Sequence, residues 1–351
     1  MTLLGPIRME RAYYHCRHCR AGHCPRDAAL GLAGSDLSRG AAEAVALAGA
    51  LGSFAEAAEK TLPKLAGLRV SESTAERATE GAGAAVGARL AAGQVFGPAR
   101  DWDWRPDADG KTCAYVAADL TGVGMQGPGG AAADGRMAAV AMVYNPGVPG
   151  QVRYLAGLGP LADLGEPLRR QAAQVGMDRA DRWVAISDGG AGIADWLRLN
   201  FPRAEAVILD FYHAAEHIGE WAKALRPADE AAAGELAGGW CHRLKHEGGA
   251  AVLAALDGLD VGRRPAARAA HRDLLGYVRG QVHRMDYPAY RAKGWQIGSG
   301  PVESACKQVG QRLKGSGMPW GEPGADAVGH LRALFRSEPG QWEAFWATLA
   351  A

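Results

Sequence analysis

Hydrophobic and polar positions along the 351-residue chain change period several times, and each change marks a predicted element. Residues 7–14 alternate well enough for a strand and lead into the cysteine-rich run HCRHCRAGHC. From 37 to about 92 the period becomes helical, with Ser38 and Ser53 as N-caps. Within that stretch FAEAAEKTLPKL, a break at Ala66-Gly67-Leu68 and VSESTAERATEGAGAAVGARL read as two helices joined by a tight turn, a helix-turn-helix shape. The Pro- and Trp-bearing GPARDWDWRPDADGK then reads as a linker.

The middle of the chain alternates between strand and helix. Strands are predicted at 113–119, 136–144 and 151–158, the first followed by a Gly-rich loop, and the short connections suggest an antiparallel meander. A helix at 161–175, a strand at 182–187, a helix at 193–200 and a strand at 205–209 complete the order β-β-β-α-β-α-β. Residues 211–285 read as helical throughout. The turn GWQIGSGP opens a further helix, VESACKQVGQRLK, and no internal repeat is visible.

Composition narrows the function classes. The chain is 48% hydrophobic and 22% charged, which excludes disorder and collagen. Lys+Arg 39 against Asp+Glu 38 gives a net charge of +1, so any attraction for nucleic acid must come from local patches. No window approaches the 18 or so apolar residues of a membrane span and no signal-peptide pattern opens the chain, so a cytoplasmic, nucleoid-associated protein with no membrane partner is expected. Cys16, Cys19 and Cys24 crowd together while Cys113, Cys241 and Cys306 scatter, a pattern better suited to a metal knuckle and buried thiols than to a disulfide framework.

Three acids carry the candidate chemistry. Asp119 ends the first strand, Asp188 ends the fourth, and Glu303 lies in the first turn of the late helix. When the first and fourth strands are central their ends are neighbours, and a helix beside them brings in a third carboxylate, as in the ribonuclease H-like arrangement. Such a cluster repels itself unless a divalent cation is bound, and hard oxygen ligands suit Mg²⁺ or Mn²⁺. Each acid alone also fits an ordinary role as turn residue, N-cap or helix-dipole partner. In ILDFYHAAEH, His213 and His217 share a helix face. That pair reads either as a zinc pair, although Ala214 stands where a metalloprotease-like motif wants Glu, or with Asp210 as support beside Asp188, with ordinary capping by Asp210 a further reading.

The runs from Ile208 to His217 and from Ile297 to Gln308, together with QRLKGSGMPW, the early LLGPIRMERAYYHCRHC and the closing LRALF and FW, resemble the transposases of the ISKra insertion-sequence group along nearly the whole chain. The resemblance implies a DDE transposase that performs Mg-dependent strand cleavage and strand transfer at insertion-sequence ends. Asp119 in ADLTG, Asp188 in SDGG and Glu303 in GPVES match the catalytic triad, with Asp119 shared between two Mg²⁺ (or Mn²⁺) ions. Asp210 and His213 match an accessory aspartate-histidine signature, and Asp210 competes with Asp188 for the second acid. Arg77 on the helix-turn-helix, and Lys307, Arg312, Lys314 and Trp320 after Glu303, are candidate DNA contacts. A solvated face and a core tryptophan are the plain alternatives for the latter four, and an Ala-rich packing helix is the alternative for the helix that carries Arg77. Cys16 and Cys19 form one half of a possible zinc knuckle; with only Cys24, His18 and His23 as further nearby donors, an amino-terminally truncated ribbon is expected.

The expected fold class is therefore α/β: a ribonuclease H-like catalytic domain at 113–217 and 291–336, interrupted by an all-helical insertion at 218–290. It is preceded by a partial zinc-ribbon-like segment (1–27), a helical, helix-turn-helix-like DNA-binding region (28–95) and a linker (96–112), and followed by a C-terminal helix (337–351). The partners expected are terminal inverted repeats, target DNA and further copies of the chain. A structure-selective nuclease of the same fold and a non-catalytic or truncated DNA-binding remnant are the competing functions.

Overall fold

Serine caps set the amino-terminal helices. In the computed structural model, which describes residues 1–30, 32, 36–190, 192–315 and 318–349, a ribbon of β1 (Tyr14–His15) and β2 (Gly22–His23) precedes α1 (Arg26–Ala29). Then come α2 (Arg39–Leu51), α3 (Phe54–Glu56), a π-helical turn at Ala57–Thr61, α4 (Leu62–Leu65) and α5 (Glu72–Ala91). The side chains of Ser38, Ser53 and Ser71 accept from the peptide N–H of Ala41, Glu56 and Thr74, satisfying donors that a helix start leaves open. Gly67 supplies the φ of +64° that turns the chain between α4 and α5.

The main sheet holds β3 (Cys113–Gln126), β4 (Ala132–Tyr144), β5 (Val152–Gly157), β6 (Arg182–Ser187) and β7 (Ala204–Leu209) in the order β5-β4-β3-β6-β7. β3 and β4, and β4 and β5, pair antiparallel, whereas β6 runs parallel to both β3 and β7. The crossovers carry α6 (Gly165–Gln174) and α7 (Ile193–Asn200). After β7 come α8 (Phe211–Leu225), α9 (Glu230–Asp257), α10 (Pro265–Gln281), a 3-10 turn at Val282–Arg284 and α11 (Tyr287–Ala292). The chain closes with α12 (Gly300–Leu313), α13 (Glu322–Arg336) and α14 (Gln341–Thr348). Among the described residues no helix is long and apolar enough to cross a membrane.

Strand alternation divides the core between the two faces of the sheet. Ala114, Val116, Ala118 and Ala185 pack with Leu168, Leu197, Phe345 and Trp346 on one side. On the other, Tyr115, Ala117, Val184, Ile186 and Ile208 pack with Ile218 and Trp221 of α8 and with Val302, Ala305 and Val309 of α12.

The structure departs from the sequence pattern in three places, the first being the strand expected at 7–14, of which only Tyr14 joins a ladder, in the two-residue strand β1. β3 does not stop at Asp119: it continues through the supposed Gly-rich loop to Gln126, because Val123 and Met125 bury against Leu313 and Trp320 while β4 pairs along the full length. The segment 96–112 is also no free linker. Trp102 and Trp104 are buried with their rings 5.1 Å apart, and Trp102 Nε1 donates to Glu338 at 2.9 Å.

Candidate active site

Strand register brings the candidate acids to one region. β3 and β6 pair as Tyr115↔Val184 and Ala117↔Ile186, and β6 and β7 as Ile186↔Ile208 and Ser187↔Leu209. Extending the register puts Asp119, Asp188 and Asp210 side by side, on the pleat face that α8 and α12 cover. Asp119 stands mid-strand where its parallel partner ends, and Asp188 and Asp210 immediately follow β6 and β7.

The acids are held differently. One oxygen of Asp119 accepts from Leu120 N–H at 2.7 Å, and the buried Cys306 thiol is hydrogen-bonded to the same carboxylate. Burial raises the Asp119 carboxyl above its ordinary range; these hydrogen bonds oppose the shift, and the charges of Asp188 and Glu303 add to it. Asp188 accepts from Gly190 N–H at 2.9 Å through one oxygen. Glu303 is exposed in the first turn of α12.

Asp210 is buried and fully engaged. One oxygen caps α8 by accepting from Tyr212 N–H at 2.8 Å, and the other accepts the Ser299 hydroxyl, at the start of α12. Phe211 N–H donates to Ile297 O at 2.9 Å beside it. Gly298 permits this approach, since a Cβ there would stand 2.7 Å from the Tyr212 ring. Asp210 and Ser299 thus fasten the helix that carries Glu303 to the end of β7. The accessory His213 is half-buried, 3.8 Å from Glu216 and edge-on to His217 with ring centroids 4.9 Å apart. Burial, and then the neighbouring His213, lower the His217 pKa and keep that ring neutral.

Two groups escaped the sequence reading. Arg284, only 2% exposed, donates to Val207 O at 3.1 Å, Ser187 Oγ at 2.7 Å and Asp188 O at 3.3 Å, so it ties the ends of β6 and β7 together behind Asp188. Tyr277 of α10 stacks on His217 at 4.0 Å and lies against Gly189. The helical period registered both residues only as positions on a helix. Their function as struts depends on the helices after β7 returning to the sheet.

The remaining candidates lie elsewhere. Lys307 and Lys314 are exposed on α12 and just after it. Arg312 and Trp320 are buried instead: the guanidinium lies 4.5 Å from the Phe54 ring and 4.6 Å from the Trp320 ring and donates to Gly49 O at 2.9 Å, so neither residue offers a surface to nucleic acid. Arg77 is exposed on α5, bonded to Ser73 O at 3.2 Å, while the opposite face of that helix packs so tightly on α13 that a Cβ at Gly83 would meet Ala327 O at 2.0 Å. Cys16 and Cys19 are exposed in the β1–β2 turn, where hydrogen bonds from Cys19 lower the Cys16 thiol.

As donor types, Asp119, Asp188 and Glu303 offer the hard oxygens a divalent cation takes, and the charges of Asp188 and Glu303 add to the burial that raises Asp119. As they stand, no three His, Cys, Asp or Glu among the described residues are close enough to hold a metal ion, here or at the cysteine turn. No family model matches the chain, and no curated protein matches it.

Proposed function

We propose that the chain acts on DNA by metal-dependent phosphoryl transfer, as a ribonuclease H-like DDE transposase whose acids are Asp119, Asp188 and Glu303. One observation carries this reading: acids at adjacent register positions of β3 and β6 share an electrostatic neighbourhood with an acid in the first turn of α12. The strand order β5-β4-β3-β6-β7, with the first and fourth strands central, supports it. Asp188 is the better second acid, because both oxygens of Asp210 are engaged in capping α8 and anchoring Ser299.

In this reading the chain itself does three things. Asp119 and Asp188 present oxygens from a rigid sheet, Asp210 and Ser299 hold the helix that brings Glu303, and Arg284 fixes the strand ends. Bound Mg²⁺ or Mn²⁺ would supply charge neutralisation and polarise the oxygens of a phosphate whose phosphorus is attacked. Terminal repeats, target DNA and further copies of the chain are the partners this chemistry calls for.

A second reading, a non-catalytic or truncated DNA-binding relative, is favoured by the lack of any assembled three-donor group among the described residues. A nuclease that cuts and does not join lies between the two. Incubating the chain with Mg²⁺ and labelled duplexes made from the DNA on either side of its gene separates them. Joined product supports the transposase, cut product alone the nuclease, and a mobility shift without cleavage the binding relative.

A further inference from the structure

We propose that the exposed face at the start of α10 is a docking surface for the phosphate backbone of duplex DNA, with Arg263, Arg268 and Arg272 as its contacts. The inference rests on the reading of the chain as one that acts on DNA, and it gives the helices after β7 a part in holding that DNA. Charge carries the argument. Between Asp260 and Asp273 the chain holds Arg263, Arg264, Arg268 and Arg272 and no acid, in a protein whose net charge is only +1. All four arginines are exposed, so a partner reaches them without any rearrangement. None is in an ion pair among the described residues, whereas Arg279, later on the same helix, is paired with Asp257 at 3.1 Å.

Helix geometry arranges these charges as a stripe. Arg264 is the N-cap of α10, and Arg268 and Arg272 follow at intervals of four, which returns each to the same side of the helix, while Ala267, Leu274 and Val278 make the buried side. Like charges at that spacing oppose helix formation, and the first turn of α10 holds no acid to offset them. Arg264 donates to Leu225 O at 2.6 Å, at the end of α8, and Arg268 to Gly262 O at 3.0 Å; these bonds orient the guanidinium groups and leave their charge whole. The far end of α10 reaches the acids, where Tyr277 lies against Gly189, the residue after Asp188. At 1.5 Å per residue, Arg272 and Arg264 stand about 8 and about 20 Å back along the axis from Tyr277. One DNA strand advances 3.4 Å per phosphate, so the stripe matches backbone about two to six nucleotides from a phosphate at the acids.

The triple variant Arg263→Gln, Arg268→Gln, Arg272→Gln should melt at or above the wild-type temperature, since like charges are removed and no ion pair is lost. In Ca²⁺ its binding of a short labelled duplex should weaken roughly tenfold or more at low salt, with a slope of log Kd against log salt shallower by about 2.7, at 0.9 per phosphate contact. Lysine at the same three positions should restore the slope, because counterion release needs only the charge. The control Arg100→Gln, Arg105→Gln, at two exposed arginines before β3, should leave the slope as it is. An unaltered slope in the triple variant, or an equal loss of slope per charge in the control, overturns the docking surface. If wild type nicks plasmid in Mg²⁺, Asp119→Asn does not, and the triple variant keeps the wild-type slope, the surface alone is lost. If the triple variant loses slope while wild type and Asp119→Asn both leave the plasmid intact, the surface stands and the phosphoryl-transfer reading falls. A wild type that binds no duplex ends the DNA reading and the surface with it.

Discussion

Asp188 and Asp210 follow adjacent strands, yet their oxygens are committed differently, and that difference separates chemistry from architecture. Replacing Asp210 by Ala removes an N-cap, a loss of about 1 kcal/mol, and leaves the buried Ser299 hydroxyl unpaired, so a total destabilisation of roughly 2 kcal/mol is expected in urea melts. Asp188→Asn keeps the acceptor for Gly190 N–H, so it should melt like wild type while strand cutting is lost. The reverse pattern would make Asp210 the second acid. Asp119 gives a pH test. Its carboxyl is raised in the fold, first by burial and also by Asp188 and Glu303, so its protonated form is the stabilising one. That contribution is complete below the unfolded-state value of about 3.9 and is lost as pH rises through the higher folded value. Without divalent ions, Asp119→Asn should therefore melt above wild type at neutral pH, and the gain should vanish below about pH 4. Added Mg²⁺ should raise the melting temperature of wild type and leave that of the variant unchanged; an unchanged wild type would count against an ion at this site.

Among the elements, α12 divides between two tasks, with Glu303 facing the acid cluster in its first turn and Arg312 locked between Phe54 and Trp320 in its last. Burial pulls the Arg312 pKa down to about 10, as expected of a cation held by ring faces and a carbonyl and not by solvent. Arg312→Ala should cost roughly 2 kcal/mol of stability and leave the salt dependence of DNA binding unaltered, and Lys at this position should not restore the loss because it lacks the planar stack. A shallower salt dependence with an unchanged melt would instead assign Arg312 to the DNA. The sequence made the helices legible because their ends carry side-chain signals: Ser38 and Ser53 cap, and Gly67 turns. The strands at 182–187 and 204–209 were readable as apolar runs between helical periods. The far half of β3 was not, because Gly122 and Gly124 look like loop residues and the partners that hold Val123 and Met125, Leu313 and Trp320, come from the other end of the chain. Within the site, Asp188 and Glu303 could be picked out by their positions at element boundaries, and Asp119 by the break in apolar pattern that precedes Gly122, although it stands mid-strand in the fold. Ser299, Cys306, Tyr277 and Arg284 could not, since each acquires its role from a contact made only after the chain has folded back onto the sheet.

Across the whole molecule, 39 basic against 38 acidic side chains leave a net charge of +1, so no general field draws a polyanion and any DNA affinity must come from local groups. Lys307 and Lys314 are the first two exposed cations that follow Glu303 in the sequence. They stand four and eleven residues after Glu303, spacings that return to the same stripe of a helix with 3.6 residues per turn. Lys314 is close enough to the site for its charge to act on the Cys306 thiol, which bonds Asp119. A phosphate backbone running along this stripe would meet both lysines on its way to the acids. Each phosphate neutralised by a lysine releases condensed counterions, so log Kd varies with log salt by about 0.9 per contact. The double variant Lys307→Ala, Lys314→Ala should bind duplex more weakly at low salt, with a salt slope shallower by about 1.8. Its melting temperature should not change, since both side chains are exposed. Filter binding in Ca²⁺ at several salt concentrations measures the slope without cleavage. An unaltered slope would mean that the two lysines only solvate the helix and that DNA approaches the acids from another side.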